Sequence, residues 1–440
     1  MYDPLNDNEL PKAAPRASYW AGHPVKWPAS LNQLPKTTDA LVIGGGYTGL
    51  NAAIELRAQG REVTVIDAEQ LAWGCSSRNA GFVMKSTGRL GLKHWHDSFG
   101  EDVGYAMANE HQLALERIRA HVKHCPDQCD LREGGYVKLA HNKGAVKALS
   151  AQYQFLRSIQ QPVTWLDKQQ VADTIKTQHG FAGLKFDDCF AINPVKLAAS
   201  VARQAHQAGA QLIEHCAATA MHRSDEGWRV NTARGEIVAR DVLFATNAYT
   251  TQKLFPDLAQ RNLPVVSSVI VTPPLSRAQL DATGLKDDYA YMDTRVLKYY
   301  FRLLPDGRLL FGGRGAIRGA HAESPRYAKR LLAALHASFP ALKDITHWDD
   351  FWSGWVSVSL DDYPRIMQLD NNVFASMGYC GAGVSFSALA GKRLAEKACG
   401  LPLPALPYYQ SNLKPFPFAG FRRVGQWAFY HYGRLRDMWG

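Results

Sequence analysis

One stretch near the N-terminus limits the folds open to this chain more than any other. Ala40-Leu41-Val42-Ile43 runs straight into Gly44-Gly45-Gly46-Tyr47-Thr48-Gly49, and apolar residues then recur through Leu50, Ala53, Ile54 and Leu56. An aliphatic run ending in glycines and followed by helical spacing reads as strand, tight turn and helix. Gly44 permits the turn and Gly46 lets the backbone approach a pyrophosphate. Gly49 lets the helix pack close on the strand, with the phosphates at the helix N-terminus beside Tyr47 and Thr48. The spacing alone is weak, since a glycine-rich turn without a ligand has the same letters. Its surroundings strengthen it. Gly60 ends the helix, Glu62-Val63-Thr64-Val65-Ile66 supplies a second strand, and that strand closes on Asp67-Ala68, about twenty residues downstream, where a carboxylate binds ribose hydroxyls. A dinucleotide-binding βαβ unit is the expectation.

With 440 residues, 46% of them hydrophobic, the chain buries more apolar surface than one core usually holds, which predicts two interwoven domains. Its formal charge of +10 is spread over 50 basic and 40 acidic residues, as in a soluble basic protein; nucleic acid and an anionic membrane are the alternative partners. The first twenty residues are acidic and proline-interrupted, without the apolar run of a secretory signal. Seven scattered cysteines, an odd number, suit reduced thiols in a cytoplasm. Cys125 and Cys129 come nearest to a pair, but no partner pair follows at finger spacing, so no metal site is expected. No stretch of about 18 uncharged apolar residues occurs, which excludes an ordinary membrane-spanning helix.

The next segment bears on which dinucleotide is bound. After Ala68 the chain reaches Trp73-Gly74-Cys75-Ser76-Ser77-Arg78-Asn79-Ala80-Gly81-Phe82-Val83, a polar loop of small residues where a plain nicotinamide-binding domain would enter another helix. Ser76, Arg78, Asn79 and Gly81 match an S-x-R-N-x-G pattern. This resembles the D-amino-acid oxidase and glycine oxidase superfamily of flavoproteins, in which the segment lines the ribityl chain and flavin ring. The resemblance covers most of residues 36 to 400 and implies FAD, with Ser77 through Phe82 along it. Residues 209–218 resemble the strand whose backbone near Ala218 contacts adenine, and Val242-Leu243-Phe244-Ala245-Thr246 resembles the returning strand and turn near the pyrophosphate. Residues 372–377, then Gly378-Tyr379-Cys380-Gly381-Ala382-Gly383-Val384, then 388–397 read as strand, glycine turn and helix. In the family that turn aims backbone amides at the flavin pyrimidine edge, where they stabilise the negative charge of the reduced form.

The implied fold is α/β. An FAD-binding Rossmann-type domain over 36–110, 185–260 and 350–400 is interwoven with an α+β, antiparallel-sheet substrate domain over 111–184 and 261–349. A lead over 1–35 and a basic aromatic tail over 401–440 flank them. The second insertion holds Lys298-Tyr299-Tyr300-Phe301-Arg302, the turn Pro305-Asp306-Gly307 and the return Arg308-Leu309-Leu310-Phe311-Gly312-Gly313-Arg314, which predicts a hairpin. Tyr300 and Arg302 lie two apart on one face, within reach of a pocket; a sheet tyrosine with a solvated arginine is the alternative. Ala17-Ser18-Tyr19-Trp20, the 75–83 segment, the hairpin and the strand Phe351-Trp352-Ser353-Gly354-Trp355-Val356-Ser357 together resemble the gamma-glutamylputrescine oxidase-like amine oxidases, which implies Gly354 at the flavin.

Departures from the wider family narrow the substrate. In glycine and D-amino-acid oxidases an arginine on the strand before the D-x-x-P turn pairs bidentately with the substrate carboxylate. Counting back from Asp361-Asp362-Tyr363-Pro364, that position falls at about Val356. Amines are therefore expected over amino acids, unless Arg302 or Arg314 supplies the charge. Sarcosine oxidase-like members carry a lysine on the returning strand that assists oxygen, where this chain has Leu309-Leu310-Phe311, which leaves oxygen and a respiratory acceptor both open. Asn79 and Val356 stand near the places where some relatives attach flavin covalently, so FAD is expected to be non-covalent, with Cys75 and Cys380 as small core thiols.

The expected reaction is hydride transfer from the carbon of a neutral amine, the imine hydrolysing to a carbonyl. Phe82, Tyr300, Trp352, Trp355 and Tyr379 are candidates for a dry wall that lowers the pKa of a bound ammonium, though with 11 tryptophans any one is as readily core. Tyr300, Arg302, Trp355 and Tyr379 are the candidate catalytic residues. The tail, through Lys414, Arg422-Arg423, Trp427, Phe429-Tyr430, Arg434, Arg436 and Trp439, resembles an interfacial helix at the inner face of a membrane; packing on its own protein is the alternative. A tRNA-modifying flavoprotein, which would lack the hairpin and glycine turn, and a non-catalytic FAD-binding scaffold are the rival classes.

Overall fold

A computed structural model of the chain describes residues 2–5, 17–85, 90–251 and 254–439, the side chain of Trp439 excepted. The glycine motif folds as its sequence predicts. Strand Thr37–Ile43 ends at Gly44, whose φ of +111° lies in the region that favours glycine, and helix Tyr47–Ala58 starts directly after Gly46. A Cβ on Gly49 would stand 1.9 Å from the Gly44 carbonyl oxygen, so a side chain there would push the helix off the turn.

Thr37–Ile43 lies at the centre of an eight-stranded sheet, parallel to Gly235–Phe244 on one side and to Val63–Ile66 on the other. Val373–Met377 and Gln211–Ile213 extend it in parallel, and Arg365–Asp370 closes one edge antiparallel. A largely parallel sheet must be covered on both faces, and its strands here are almost continuously apolar. Helices Tyr47–Ala58, Pro194–Gln207 and Gly383–Ala398 bury Leu50, Leu56, Leu197, Val201 and Leu394 over one face. The first and last of these approach at backbone distance, because a Cβ on Gly391 would meet the Thr48 carbonyl oxygen at 2.3 Å.

The second sheet also has eight strands, in the order Asp350–Val358, Leu263–Pro274, Arg308–Arg314, Tyr300–Leu303, Ala290–Asp293, Tyr136–Leu139, Gly183–Phe186 and Val163–Leu166. Every pairing is antiparallel except that of Ala290–Asp293 with Tyr136–Leu139. Helix Pro325–Ser338 covers its back, packing Leu331 and Leu335 with Phe301, Phe311 and Phe339. The expected hairpin is present, with Gly307 at φ +79° in its turn.

Two segments cross the expected boundaries. Asp350–Val358, assigned by chain order to the cofactor-binding part, pairs from Val358 opposite Leu263 to Asp350 opposite Val271, so it belongs to the second sheet. An uninterrupted ladder of backbone hydrogen bonds to a long neighbour outweighs proximity in sequence. Helix Glu101–Lys123, half of it assigned to the substrate part, buries Met107, Leu115 and Ile118 in the core of the first sheet, and Arg117 pairs there with Glu55.

The tail forms helix Arg422–Trp439, and its two stripes differ. Arg422, Gln426 and Tyr430 are buried, and Asp437 accepts the backbone N–H groups of Val296 and Leu297 at 2.7 and 3.0 Å. Phe421, Val424, Trp427, Leu435 and Met438 are each more than half exposed. No helix among the described residues is long and apolar enough to cross a membrane.

Candidate functional site

A cavity of about 640 Å³ is lined from both sheets. Its floor is the glycine motif. Gly46 precedes the helix without a side-chain cap and the first turn carries no acid, so the leading N–H groups are left for an anion, apart from that of Tyr47, which donates to Ser76 Oγ at 3.0 Å. A Cβ on Gly46 would come within 2.8 Å of that Oγ, and one on Gly44 within 2.8 Å of the Ala245 carbonyl oxygen. The hollow exists because these positions lack side chains. At one end it is bounded by Asp67, Ala68, Cys216, Ala218 and Thr219, and at the other by Arg78, Asn79, Gly381, Gly383 and Val384, with Gly44, Gly46, Thr48 and Thr246 between. Carboxylate, amide-lined turn and glycine turn in that order fit adenosine, pyrophosphate and flavin.

Asp67 holds the turn with both of its carboxylate oxygens. Its Oδ2 accepts the Gly45 N–H at 2.7 Å and its Oδ1 that of Glu69 at 3.0 Å, which pins the turn. Burial outweighs these bonds and raises its pKa to about 6. At the other end, the Tyr379 hydroxyl bridges Thr48 Oγ1 and Ser376 Oγ, each at 2.8 Å, and so ties the glycine turn to the first helix. Burial raises the thiol pKa of Cys75 to about 11 and that of Cys380 to about 12, so both thiols beside the cavity stay protonated and unreactive.

The roof comes from the second sheet. Tyr300, Ser267, Val269, Gly313, Arg314, Gly354, Val356 and Met292 face the cavity, and Phe82 and Tyr136 close its sides. The Tyr300 hydroxyl pairs with Ser267 Oγ at 2.8 Å, and its ring meets Phe82 edge-on at 6.0 Å. The pair has its hydroxyl end satisfied and offers the cavity apolar ring surface.

Of the residues predicted at the cofactor, Gly44, Gly46, Tyr47, Thr48, Asp67, Ala68, Arg78, Asn79, Ala80, Phe82, Ala218, Thr246, Gly354, Gly381, Gly383 and Val384 line this cavity. Gly49, Ser77, Gly81, Gly378 and Ala382 stand behind the lining. Gly81 lets the loop cross the Ile192 carbonyl, which a Cβ would meet at 2.0 Å, and the Ser77 carbonyl accepts the Ser18 hydroxyl at 3.1 Å. Gly378 turns the chain at φ +86°, and Ala382 precedes helix Gly383–Ala398.

The predicted substrate residues divide. Tyr300, Trp355 and Tyr379 line the cavity. Trp355, however, donates its indole N–H to the Tyr2 carbonyl at 2.8 Å and lies under Arg423, which makes it a structural post. Arg302 is outside: 2% exposed, it donates to the Ile192 carbonyl at 2.8 Å and sits 5.2 Å over the Trp20 ring. The Asn79–Gly81 loop passes between it and the cavity, and burial lowers its pKa to about 10. Trp352 is also removed from the wall, packed with Trp20 and Leu310 and donating to the Arg78 carbonyl at 2.9 Å. Sequence reasoning passed over Tyr136, Ser267, Met292 and Tyr249. Tyr136 and Ser267 sit on strands whose alternation signals a sheet face but not which face meets a ligand.

Residues 39–397 match the family described as FAD dependent oxidoreductase (DAO). The chain is 31% identical over 411 residues to gamma-glutamylputrescine oxidoreductase of Escherichia coli, covering 93% of this chain and 94% of that one. It is 25% identical to glycine oxidase of Geobacillus kaustophilus over 81% of this chain and 92% of that protein. The crystal structure of that bacterium's glycine oxidase superposes with a TM-score of 0.71 at 18% identity, covering 86% of this chain and all of the other. L-proline dehydrogenase from P. horikoshii superposes with a TM-score of 0.68 at 20% identity, over 85% of this chain and 96% of that one. A glycine cradle ending at a buried carboxylate, a roof from a second sheet and this extended likeness have one meaning: the chain belongs to the DAO family of FAD-dependent oxidoreductases.

Proposed function

We propose that the chain oxidises the C–N bond of an amine to an imine, which water hydrolyses to a carbonyl. Bound FAD, held without a covalent bond, supplies the two-electron acceptor. The observation that carries the reading is Val356. This side chain lines the cavity beside the glycine turn, 3.9 Å from where a Gly381 Cβ would stand, at the place where amino-acid oxidases of the family are expected to hold a carboxylate-binding arginine. A valine there offers a substrate carboxylate nothing. Tyr300, Phe82 and Met292 exclude water around the reacting carbon, and the Arg314 cation beside them disfavours a bound ammonium, so both effects deliver the amine in its neutral, reactive form. The Escherichia coli relative is named for an amine substrate, which supports the same reading.

The test is anaerobic mixing of the yellow protein with polyamines, γ-glutamylated amines, N-methyl amino acids and D-amino acids. Bleaching of the 450 nm band by amines alone is expected. Bleaching by amino acids alone would transfer the carboxylate-binding role to Arg314, and no bleaching by either would favour a scaffold.

The acceptor side of the reading places the protein in the cytoplasm, at the inner face of a membrane. Seven thiols without a disulfide suit a reducing compartment. The outer stripe of helix Arg422–Trp439 pairs apolar side chains with exposed Arg434 and Arg436, while its one acid, Asp437, is taken up by backbone N–H groups. That composition fits an anionic lipid surface, at about 1 kcal/mol per cation. Co-sedimentation with phosphatidylglycerol-containing vesicles, and not with pure phosphatidylcholine, is expected, and Trp427→Glu should abolish it; equal recovery with both vesicles would remove the membrane from the proposal.

A further inference from the structure

Two segments from opposite ends of the sequence meet beside the flavin cavity, and both lie outside the 39–397 match. Tyr2 lines the cavity and is buried, and its carbonyl accepts the indole N–H of Trp355 at 2.8 Å. Trp355 stands on Asp350–Val358, the edge strand of the roof, so Tyr2 walls the cavity where the sheet ends. Asp3 holds this segment down. Its Oδ2 accepts the Gly319 N–H at 2.9 Å, and its Oδ1 accepts the Leu5 N–H at 3.1 Å and the Arg423 guanidinium. The turn at Gly319 is itself tied to the roof, since Ser353 Oγ donates to the Ala322 carbonyl at 3.0 Å.

Arg423 lies in the first turn of helix Arg422–Trp439, and its guanidinium also donates to the Pro264 carbonyl at 2.6 Å and lies 5.1 Å over the Trp355 ring. It therefore joins residues 2–5 to the two outermost strands of the roof. At the far end of the helix, Asp437 accepts the N–H groups of Val296 and Leu297, and a Cβ on Gly433 would meet Leu297 Cγ at 2.9 Å. The next residue, Lys298, lines the cavity. From Arg423 to Asp437 the helix rises about 21 Å, close to the four strand spacings of about 4.8 Å that separate Asp350–Val358 from Ala290–Asp293. The helix thus spans the roof from its edge strand to the connection beyond Ala290–Asp293. The Asp3–Arg423 pair is buried, at 4% and 12% exposed, so removing one charge leaves the other uncompensated.

We propose that residues 2–5 form a strap that closes the flavin cavity at the edge of its roof, buckled by the Asp3–Arg423 pair to the helix across that roof, and that Tyr2 is a specificity-determining residue whose ring limits the bulk of the substrate. The choice of test substrates rests on the amine reading above; the closure does not. Residues 2–5 belong to neither sheet, so no ladder of backbone hydrogen bonds fixes them, and their place depends on the contacts of Asp3 and of the Tyr2 carbonyl. Asp3 stands behind the lining, yet through its ion pair it sets where the Tyr2 ring lies. Asp3 is therefore a positioning residue, acting on the cavity through its neighbour.

The experiment takes two readouts on the holoenzyme. One is the ratio of kcat/KM for phenylbutylamine to that for butylamine, which share the reacting end and differ by a ring. The other is quenching of flavin fluorescence by TEMPOL, a neutral quencher that reports access to the cavity without any turnover. Tyr2→Ala should raise the ratio about tenfold, the scale of an apolar group newly admitted to a pocket, and quenching about threefold, as when a closure that shields a site is lost. Tyr2→Phe, which keeps the ring, should leave both unchanged. Asp3→Asn keeps an oxygen for the Gly319 N–H but not the ion pair, and it should move both readouts in the same direction. The double variant should then do no more than Tyr2→Ala alone, because both changes act through one ring. Additive effects in the double variant, or a fall in Tm with ratio and quenching unmoved in either single variant, overturn the proposal. Should neither amine be oxidised, quenching decides the strap by itself, and the wider substrate panel above decides the amine reading.

Discussion

The two sides of the flavin cavity are built from opposite materials. Its floor is backbone: Gly44, Gly46, Gly381 and Gly383 present peptide groups where any side chain would fill the hollow. Its roof is side chain: Tyr300, Ser267, Arg314 and Val356 stand on a sheet that would fold much the same with other residues in their places. A backbone surface is fixed by steric exclusion and recognises what is common to all members of a family, the dinucleotide. A side-chain surface is free to vary and recognises what is particular, the substrate. Substitutions on the floor should therefore be all or nothing for FAD, and substitutions on the roof graded and substrate-specific.

The largest effect is expected at Gly44. Valine there would meet the Ala245 carbonyl oxygen within 2.8 Å at a φ of +111°, so Gly44→Val should purify without flavin, read as loss of the 450 nm band. Normal flavin content would break the comparison at its base. Asp67→Asn comes next. It weakens the charge-assisted bonds to the Gly45 N–H and to ribose, worth about 1.5–3 kcal/mol, and FAD affinity should fall about 10–100-fold. The pH dependence has a definite sign. Ribose hydroxyls favour the ionised carboxylate, and the free protein holds that pKa near 6. FAD affinity should therefore be greatest above pH 6 and decline as pH falls through it, while the asparagine variant stays flat. Tyr379→Phe is smaller, because it removes two hydroxyl bonds and no cavity surface. A cost of about 1–2 kcal/mol, seen as a drop of roughly 2–4 °C in Tm with kcat/KM nearly unchanged, would mark Tyr379 as a brace between floor and helix.

The same contrast explains what the sequence disclosed. The floor was legible because Gly44, Gly46 and Gly49 are dictated by geometry, and geometry leaves the same letters in every chain that solves the problem. The hairpin Tyr300–Leu303 and Arg308–Arg314 was legible from alternation and an Asp-Gly turn. The roof was read only in part. Periodicity of two places Tyr300 and Arg302 on one face, yet one meets the cavity and the other disappears beneath the Asn79–Gly81 loop, because the strand outruns the hollow it covers. Trp352 and Gly354 repeat the lesson on Asp350–Val358. Long-range pairing hid the rest. Nothing in 350–358 says that its partner is Leu263–Pro274, and nothing in Tyr136-Val137-Lys138 says that a helix 14 residues on supplies Gln152 to its lysine.

Arg314 gives the smallest expected effect and the sharpest test of the roof. Among the described residues it is the one guanidinium of the second sheet that faces the cavity, beside Tyr300 and Ser267, and in an amino-acid oxidase it would take over the part that Val356 cannot play. If the substrate's reacting end is uncharged, Arg314 touches no anion there and acts only through space, lowering the pKa of a bound amine. Arg314→Met should then change kcat less than threefold at high pH, where the bound amine is neutral in either protein, and shift the acid limb of the kcat profile upward, because loss of a neighbouring cation lets the bound ammonium persist to higher pH. Were Arg314 instead clamping an α-carboxylate, the same variant would lose about 100-fold or more at every pH, the scale of a broken bidentate pair in a dry site. The profile therefore separates a cation that tunes an amine from one that binds an acid, and it does so with a single side chain that the sheet does not need.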